Sequence, residues 1–284
     1  MSRYNAGMLE TAIEAASEAG KWLRRNFGAQ LVVDEASHHD IKLEIDKQAQ
    51  ARITKIIRAD FPDHCILGEE GVAGNQGADV RWVVDPLDGT VNYFYGIPHY
   101  AVSVAAQVRR RIEAPETGAT TTAGVVAAVP AAPVWETVAA VVLDPELDEL
   151  FVSEKGKPAV LHGRPIHASN RTELAEAIVA IGFFKSIDTI NRGLQDFGQM
   201  IHKVRKLRLM GAAALDVVYV ACGRYDAYIE YGIKLWDIAA GQLILENAGG
   251  RTESRATGEP HTFDVRMWNG KLPLGELLKP AEPG

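Results

Sequence analysis

Met8, Ala12, Ala15, Ala19, Leu23 and Phe27 recur at three- and four-residue steps, which puts them on one face of a helix over residues 7–27. Ile45, Ala49, Ile53, Ile56 and Ile57 repeat the pattern, and this second helix should stop at Phe61-Pro62, because the residue before a proline disfavours helix. The pattern then changes. Cys65-Ile66-Leu67 and Arg81-Trp82-Val83-Val84 are short apolar runs of the kind found in strands buried on both faces. Each runs into acidic residues, Gly68-Glu69-Glu70 in the first case and Asp85-Pro86-Leu87-Asp88-Gly89-Thr90 in the second. Carboxylates placed there are delivered by rigid elements to one edge of a sheet. Further strands are expected near 99–108, 134–143 and 149–153. The later half alternates: strand 174–182, helix 189–205, helix 212–222, strand 225–231 and helix 237–247.

No internal repeat interrupts this order. Residues 114–133 are biased to Ala, Thr, Val and Pro and read as a surface loop or long hairpin tip. The division into lobes is weakly marked; we place an N-terminal lobe at 1–150 and a C-terminal lobe at 151–284, packed as one unit with a hinge near 145–170.

Composition narrows the class. At 284 residues, 47% hydrophobic and 24% charged, the chain has ample material for a core. The N-terminus lacks a signal-peptide core, and the longest apolar-looking run, Ala123 to Trp135, is broken by Pro130 and Pro133, so a soluble, cytoplasmic protein without a membrane partner is expected. Cys65 and Cys222 show no metal-type spacing and read as buried thiols of a reducing compartment. A net charge of −7 argues against a nucleic-acid partner, and Arg109-Arg110-Arg111 reads as a solvated strand end. An anionic substrate remains compatible, since bound cations can reverse a local field. The eight histidines show no metal-ligand spacing, and His38-His39 reads as a solvated loop.

Three segments carry candidate chemistry. In Asp85-Pro86-Leu87-Asp88-Gly89-Thr90, two carboxylates on a loop tightened by proline and glycine can address one hard cation, with backbone N–H groups for an anion; a plain Asx-rich turn is the alternative. Glu69-Glu70 is either a solvated pair or a ligand placed at a strand end. In Trp236-Asp237-Ile238-Ala239-Ala240-Gly241, Asp237 can be a helix cap or a ligand, and the small residues after it imply that something packs very close.

Together these segments resemble the inositol monophosphatase family, whose pattern is an upstream aspartate, GEE, DP(I/L)DGTxNF and WDxAAG. Here stand Asp40 and Asp46, Gly68-Glu69-Glu70, Asp85 through Thr90 with Val91-Asn92-Tyr93, and Trp236 through Gly241, in the same order over nearly the whole chain. The resemblance implies an α/β (α+β) fold, a layered αβαβα sandwich, and a homodimer. It implies a lithium-sensitive phosphoric monoester hydrolase with two to three Mg²⁺ ions. Glu69, Asp85 and the Leu87 carbonyl would hold one ion, Asp85, Asp88 and Asp237 a second, and Glu69 a weaker third. The Gly89 and Thr90 N–H groups would bind phosphate, while Thr90, backed by Asp46, and Glu69 orient the attacking water. Asp88, Asp237, Gly211-Ala212-Ala213 and Glu230 would meet the substrate, although Glu230 can also simply end a strand. A phosphate monoester dianion repels hydroxide, so its hydrolysis needs such charge neutralisation and an acidified water.

There are departures. Leu43 stands where the family usually has Thr, and Glu35 where a lysine is frequent, which puts the third metal site in question. Asn92-Tyr93 favours the inositol-phosphate branch over nucleotide-cleaving relatives. The expected substrate is inositol monophosphate or a related polyol or sugar phosphate; histidinol-phosphate, fructose-1,6-bisphosphate and 3′-phosphoadenosine-5′-phosphate are alternatives. A regulatory partner of transcription machinery, as some bacterial relatives are, is the alternative of another class.

Overall fold

The computed structural model describes residues 7–36, 41–110, 134–182 and 186–277. The 114–133 stretch, His38-His39, Asp40 and Arg111 lie outside the described residues. Chain order begins with α1 (Met8–Asn26), the hairpin β1 (Val33–Ala36) and β2 (Ile41–Leu43), and α2 (Glu44–Asp60), which stops before Phe61-Pro62 as expected. Next come β3 (Cys65–Gly68), β4 (Gly71–Gly74), β5 (Val80–Asp88), the short α3 (Thr90–Phe94), β6 (Ala101–Arg110), β7 (Val134–Asp144), β8 (Glu149–Glu154), β9 (Val160–Leu161) and β10 (Arg164–Pro165). The remainder is β11 (Ile178–Ile181), α4 (Ile187–Met200), β12 (Lys206–Arg208), α5 (Ala213–Ala221), β13 (Ala227–Lys234), α6 (Leu235–Asn247), β14 (Arg251–Ala256), β15 (Thr262–Trp268) and α7 (Leu274–Leu277).

Two large sheets result. The first has the order β10-β9-β8-β7-β6-β5-β3-β4, the second β12-β11-β13-β15-β14. Alternation along the strands sorts the core into layers. Val80, Trp82 and Val84 of β5 pack with Val102 and Val104 of β6 under Ala12, Ala19, Leu23, Ile53 and Ile57 of α1 and α2. Val83 and Ala105 point the other way, into the cluster of α5 and α6, which Tyr228, Val265 and Met267 of the second sheet close from beyond. The opposite face of that sheet buries Val179, Ile181, Ile229 and Tyr231 with Met200 of α4. Helix pair, sheet, helix pair, sheet and helix make the αβαβα order that the sequence implied.

The first sheet keeps strands up to Pro165, so β8 runs through position 150, where the sequence reading divided the lobes. Three differences follow from packing. The helix expected over 189–205 ends at Met200, and the chain then enters β12 beside β11. The strands β14 and β15 and the hairpin β1–β2 have no counterpart in the sequence expectations. Arg109 and Arg110 are paired rather than merely solvated: Arg109 lies over the Trp135 ring and Arg110 binds Glu136. Cys65 is buried and Cys222 half-buried, both as free thiols. Among the described residues no helix is long and apolar enough to cross a membrane.

Candidate active site

A strand alternates faces, so residues three apart should point to opposite sides. Asp85 and Asp88 do not. Asp85 pairs with Ser103 and Asp88 with Ala101, so β5 spends one residue more than β6 over this stretch. This β-bulge turns both carboxylates toward the α5–α6 layer. Pro86 has no N–H to offer the ladder, and Asp85 Oδ1 accepts the Leu87 N–H at 3.0 Å, which closes the turn. The Leu87 side chain is buried in the first core while its carbonyl accepts Thr90 Oγ1–H at 3.0 Å. Gly89 follows with φ +90°; a Cβ there would stand 3.0 Å from the His99 carbonyl and strain the backbone. The N–H groups after it open α3 and have no partner within that helix's first turn.

Glu69 lies just beyond β3, which runs parallel to β5, and its N–H donates to the Val84 carbonyl at 3.1 Å. The turn is clamped from α2: Gln50 Oε1 accepts the Glu70 N–H at 3.0 Å and Gln50 Nε2 donates to Gly71 O at 3.2 Å. A side chain at Gly68 would occupy the place of the Gln50 amide. Asp46, also on α2, accepts the Leu43 N–H at 2.9 Å.

Asp237 is the third residue of α6 rather than its opening residue, and its Oδ2 accepts the Lys234 N–H at 3.1 Å. Ser103 Oγ, opposite Asp85, donates to the Trp236 carbonyl at 3.1 Å and so fixes this first turn to the sheet. The small residues of the turn serve helix packing: a Cβ on Gly241 would press on Val217 of α5. Asp88 Oδ2 accepts the Ala214 N–H at 2.7 Å and thereby holds the start of α5. Asn92 Nδ2 donates to the Met210 carbonyl at 2.8 Å and the His99 carbonyl at 2.9 Å, which ties α3 to the Gly211-Ala212-Ala213 segment.

Glu69, Asp85, Leu87, Asp88, Thr90, Asn92 and Asp237 line one cavity of about 400 Å³, together with Glu230, Lys234, Asp216 and Tyr228. Of the residues named from the sequence, Glu69, Asp85, Leu87, Asp88, Gly89, Thr90, Gly211, Ala212, Ala213, Glu230 and Asp237 all face it. Asp46 stands behind, where its charge acts on Glu69. Sequence reading missed Gln50, Asn92 as a tie, Asp216 and Tyr228; a lone aspartate inside the apolar run Ala213–Ala221 was the available signal for Asp216. Leu43 is buried in the first core, so the departure at this position serves packing.

The carboxylates crowd one another. Glu69 is pushed up to about 8 by withdrawal from water, then by Asp237 and Asp46. Burial first, then Glu69 and Asp237, holds Asp85 well above the usual carboxylate range, and burial with Asp237 does the same to Asp88. Among the described residues no three His, Cys, Asp or Glu side chains converge as a ready-made metal cage. The donors are oxygens only, the set that hard divalent cations such as Mg²⁺ take. The residues therefore fit such a cofactor.

A sequence model of the inositol monophosphatase family matches residues 5–271. The Pseudomonas aeruginosa Nus factor SuhB is 38% identical over 251 residues, 86% of this chain and 83% of that protein. The Escherichia coli K12 Nus factor SuhB is 35% identical over 288 residues, 96% of this chain and 98% of that one. The solved inositol monophosphatase of Anabaena matches at TM-score 0.71 and 32% identity over 93% of this chain and 90% of its own. A Thermotoga maritima IMPase matches at TM-score 0.76 and 30% identity over 95% and 94%. The relatives' names correct one expectation. A partner set confined to a small phosphorylated polyol or sugar, with nucleic acid excluded, does not stand beside relatives named as Nus factors. The exclusion rested on net charge, which is a sum over the chain, whereas recognition is local; Lys21, Arg24, Arg25, Lys55 and Arg58 are all exposed on α1 and α2.

Proposed function

The chain belongs to the inositol monophosphatase family, and from that premise we propose that it hydrolyses the phosphate monoester of a small polyol or sugar, inositol monophosphate foremost. The observation that carries this reading is the set Glu69, Asp85, Asp88 and Asp237 facing one cavity beside the Gly89–Thr90 loop. The family is generally Mg²⁺-dependent. Glu69, Asp85 and the Leu87 carbonyl would hold one ion, Asp85, Asp88 and Asp237 a second, and Glu69 a third. When bound, Mg²⁺ neutralises the phosphate dianion and acidifies a water.

The chain's own groups do the rest. The N–H groups of Gly89 and Thr90 receive phosphate oxygens at the start of α3. The Glu69 carboxylate and the Thr90 hydroxyl, which donates to the Leu87 carbonyl at 3.0 Å, would orient the attacking water, with the charge of Asp46 acting on Glu69 from α2. Water would add to phosphorus as the P–O bond to the polyol breaks, its proton passing to solvent, while the leaving oxygen takes up a proton from solvent on the Asp237 side. Glu230 and the Gly211–Ala213 backbone receive substrate hydroxyls. Phosphate release from inositol monophosphate, histidinol phosphate, fructose 1,6-bisphosphate and 3′-phosphoadenosine-5′-phosphate, with Mg²⁺ and with excess EDTA, tests the reading. Equal release with EDTA would end it.

A second reading has its own support in the names of the relatives at 35–38% identity, Nus factor SuhB. On it, the chain takes part in transcription through its surface. Retention of transcription proteins from a lysate by both the native chain and an Asp85→Asn variant would favour that role; retention by neither would count against it.

A further inference from the structure

Two polar side chains that line the cavity each present a buried oxygen without a hydrogen-bond partner among the described residues. Asp216 is 2% exposed and Tyr228 fully buried, and both line the cavity. Asp216 Oδ1 and the Tyr228 hydroxyl have no hydrogen-bond partner among the described residues. Buried side-chain polar atoms are nearly always paired, so two such groups on one cavity point to an occupant. Their positions give its direction. Tyr228 and Glu230 are two apart on β13 and share its inner face. Asp216 is in the first turn of α5, just past Ala212 and Ala213. Gly89, Thr90 and Glu230 line the same cavity, so a ligand held there shares it with Asp216 and Tyr228.

We propose that Asp216 and Tyr228 form an inner polar subsite that takes a substrate hydroxyl remote from the phosphate, and so select polyol phosphates over hydroxyl-poor phosphomonoesters. A hydroxyl donates and accepts at once, which suits a carboxyl and a phenol on the same wall. An apolar occupant would leave both groups unpaired in a dry site, which is how polar pockets reject analogues lacking a hydroxyl. The inference deepens the phosphatase reading and rests on it.

The test compares the full-length protein with Tyr228→Phe and Asp216→Asn, in Mg²⁺, on myo-inositol 1-phosphate and on phenyl phosphate. Tyr228→Phe removes only an oxygen that has no partner among the described residues, so its melting temperature should equal or exceed that of the native chain. The ratio of kcat/KM for the inositol phosphate to that for phenyl phosphate should fall about tenfold or more in each variant, chiefly through KM. An unchanged ratio in Tyr228→Phe overturns the proposal, as does a water-filled wall, which would move neither constant selectively. If the native chain hydrolyses neither compound, the phosphatase reading fails by itself. Calorimetric titration with myo-inositol 1-phosphate then decides the subsite: tenfold weaker binding in Tyr228→Phe supports it, and equal or absent binding overturns it.

Discussion

Gly182 abuts the Glu230 carboxyl so closely that a methyl group at position 182 would overlap it. The Gly182 N–H donates to the Ile229 carbonyl at 3.0 Å, which fixes the backbone beside Glu230. Gly182→Ala should therefore rotate the carboxylate out of place. The expected outcome is a KM for inositol monophosphate raised about tenfold, with a melting temperature lowered by the few degrees that an overpacking cost of about 1–3 kcal/mol brings. Steady-state kinetics and thermal denaturation check it; an unaltered KM would detach Glu230 from the substrate.

Asp85→Asn should abolish turnover, by more than about a thousandfold, because an amide cannot supply the charge that the two proposed cations would share. The metal-free fold should gain. Asp85 is buried among Glu69, Asp237 and Asp88, and the amide removes that repulsion. Melting in EDTA should show the variant at or above the native temperature, with the Mg²⁺-induced rise lost.

The raised carboxylates set a pH dependence. A folded-state pKa above the unfolded one means that the unfolded chain releases its proton first, so stability falls as pH rises between the two values. For Glu69 that window runs from 4.5 to about 8. Metal-free protein should lose stability across it, while added Mg²⁺, which displaces the same protons, should stabilise more strongly as pH rises. Melting curves from pH 5 to 9 with Mg²⁺ and with EDTA check both slopes; a metal-free protein that becomes more stable with rising pH would contradict the origin given for the shift.

Replacing Mg²⁺ by Ca²⁺ should leave activity at a small fraction, since Ca²⁺ prefers more ligands at longer distances than this carboxylate set offers. Competition assays read the effect directly as inhibition of the Mg²⁺-dependent rate. Restoration of full turnover by Ca²⁺ alone would argue that geometry at the site is looser than proposed.

Leu43→Thr tests the departure at the start of α2. The leucine is fully buried and no side chain caps the helix. A threonine could add a cap worth about 1 kcal/mol, but emptying the core site costs roughly 2–4 kcal/mol, so the variant should be less stable. Chemical denaturation gives the sign, and the Mg²⁺ requirement should stay within twofold.

How far the sequence discloses this arrangement depends on where each signal lies. Asp85, Asp88 and Glu69 were legible because apolar strands run straight into them. The early helices were legible because one face of each is buried against the first sheet. Strand β14, Arg251-Thr252-Glu253-Ser254-Arg255-Ala256, was not: it is the outer edge of its sheet, largely exposed, and carries no alternation to read. Strand β12 is three residues long and follows a helix whose polar end resembles more helix. Asp216 and Tyr228 were hidden by burial itself, since an aspartate in an apolar helix and a tyrosine in a strand announce no common cavity until the two elements are packed together.

The bulge of β5 has a consequence for how this chemistry could change hands. Two carboxylates address one layer because the strand slips by half a period between them. The information lies in a count of residues, so a single deletion between Asp85 and Asp88 would keep both carboxylates yet send one of them to the wrong side of the sheet. Anyone transplanting the site to another strand must carry the slip along with the side chains.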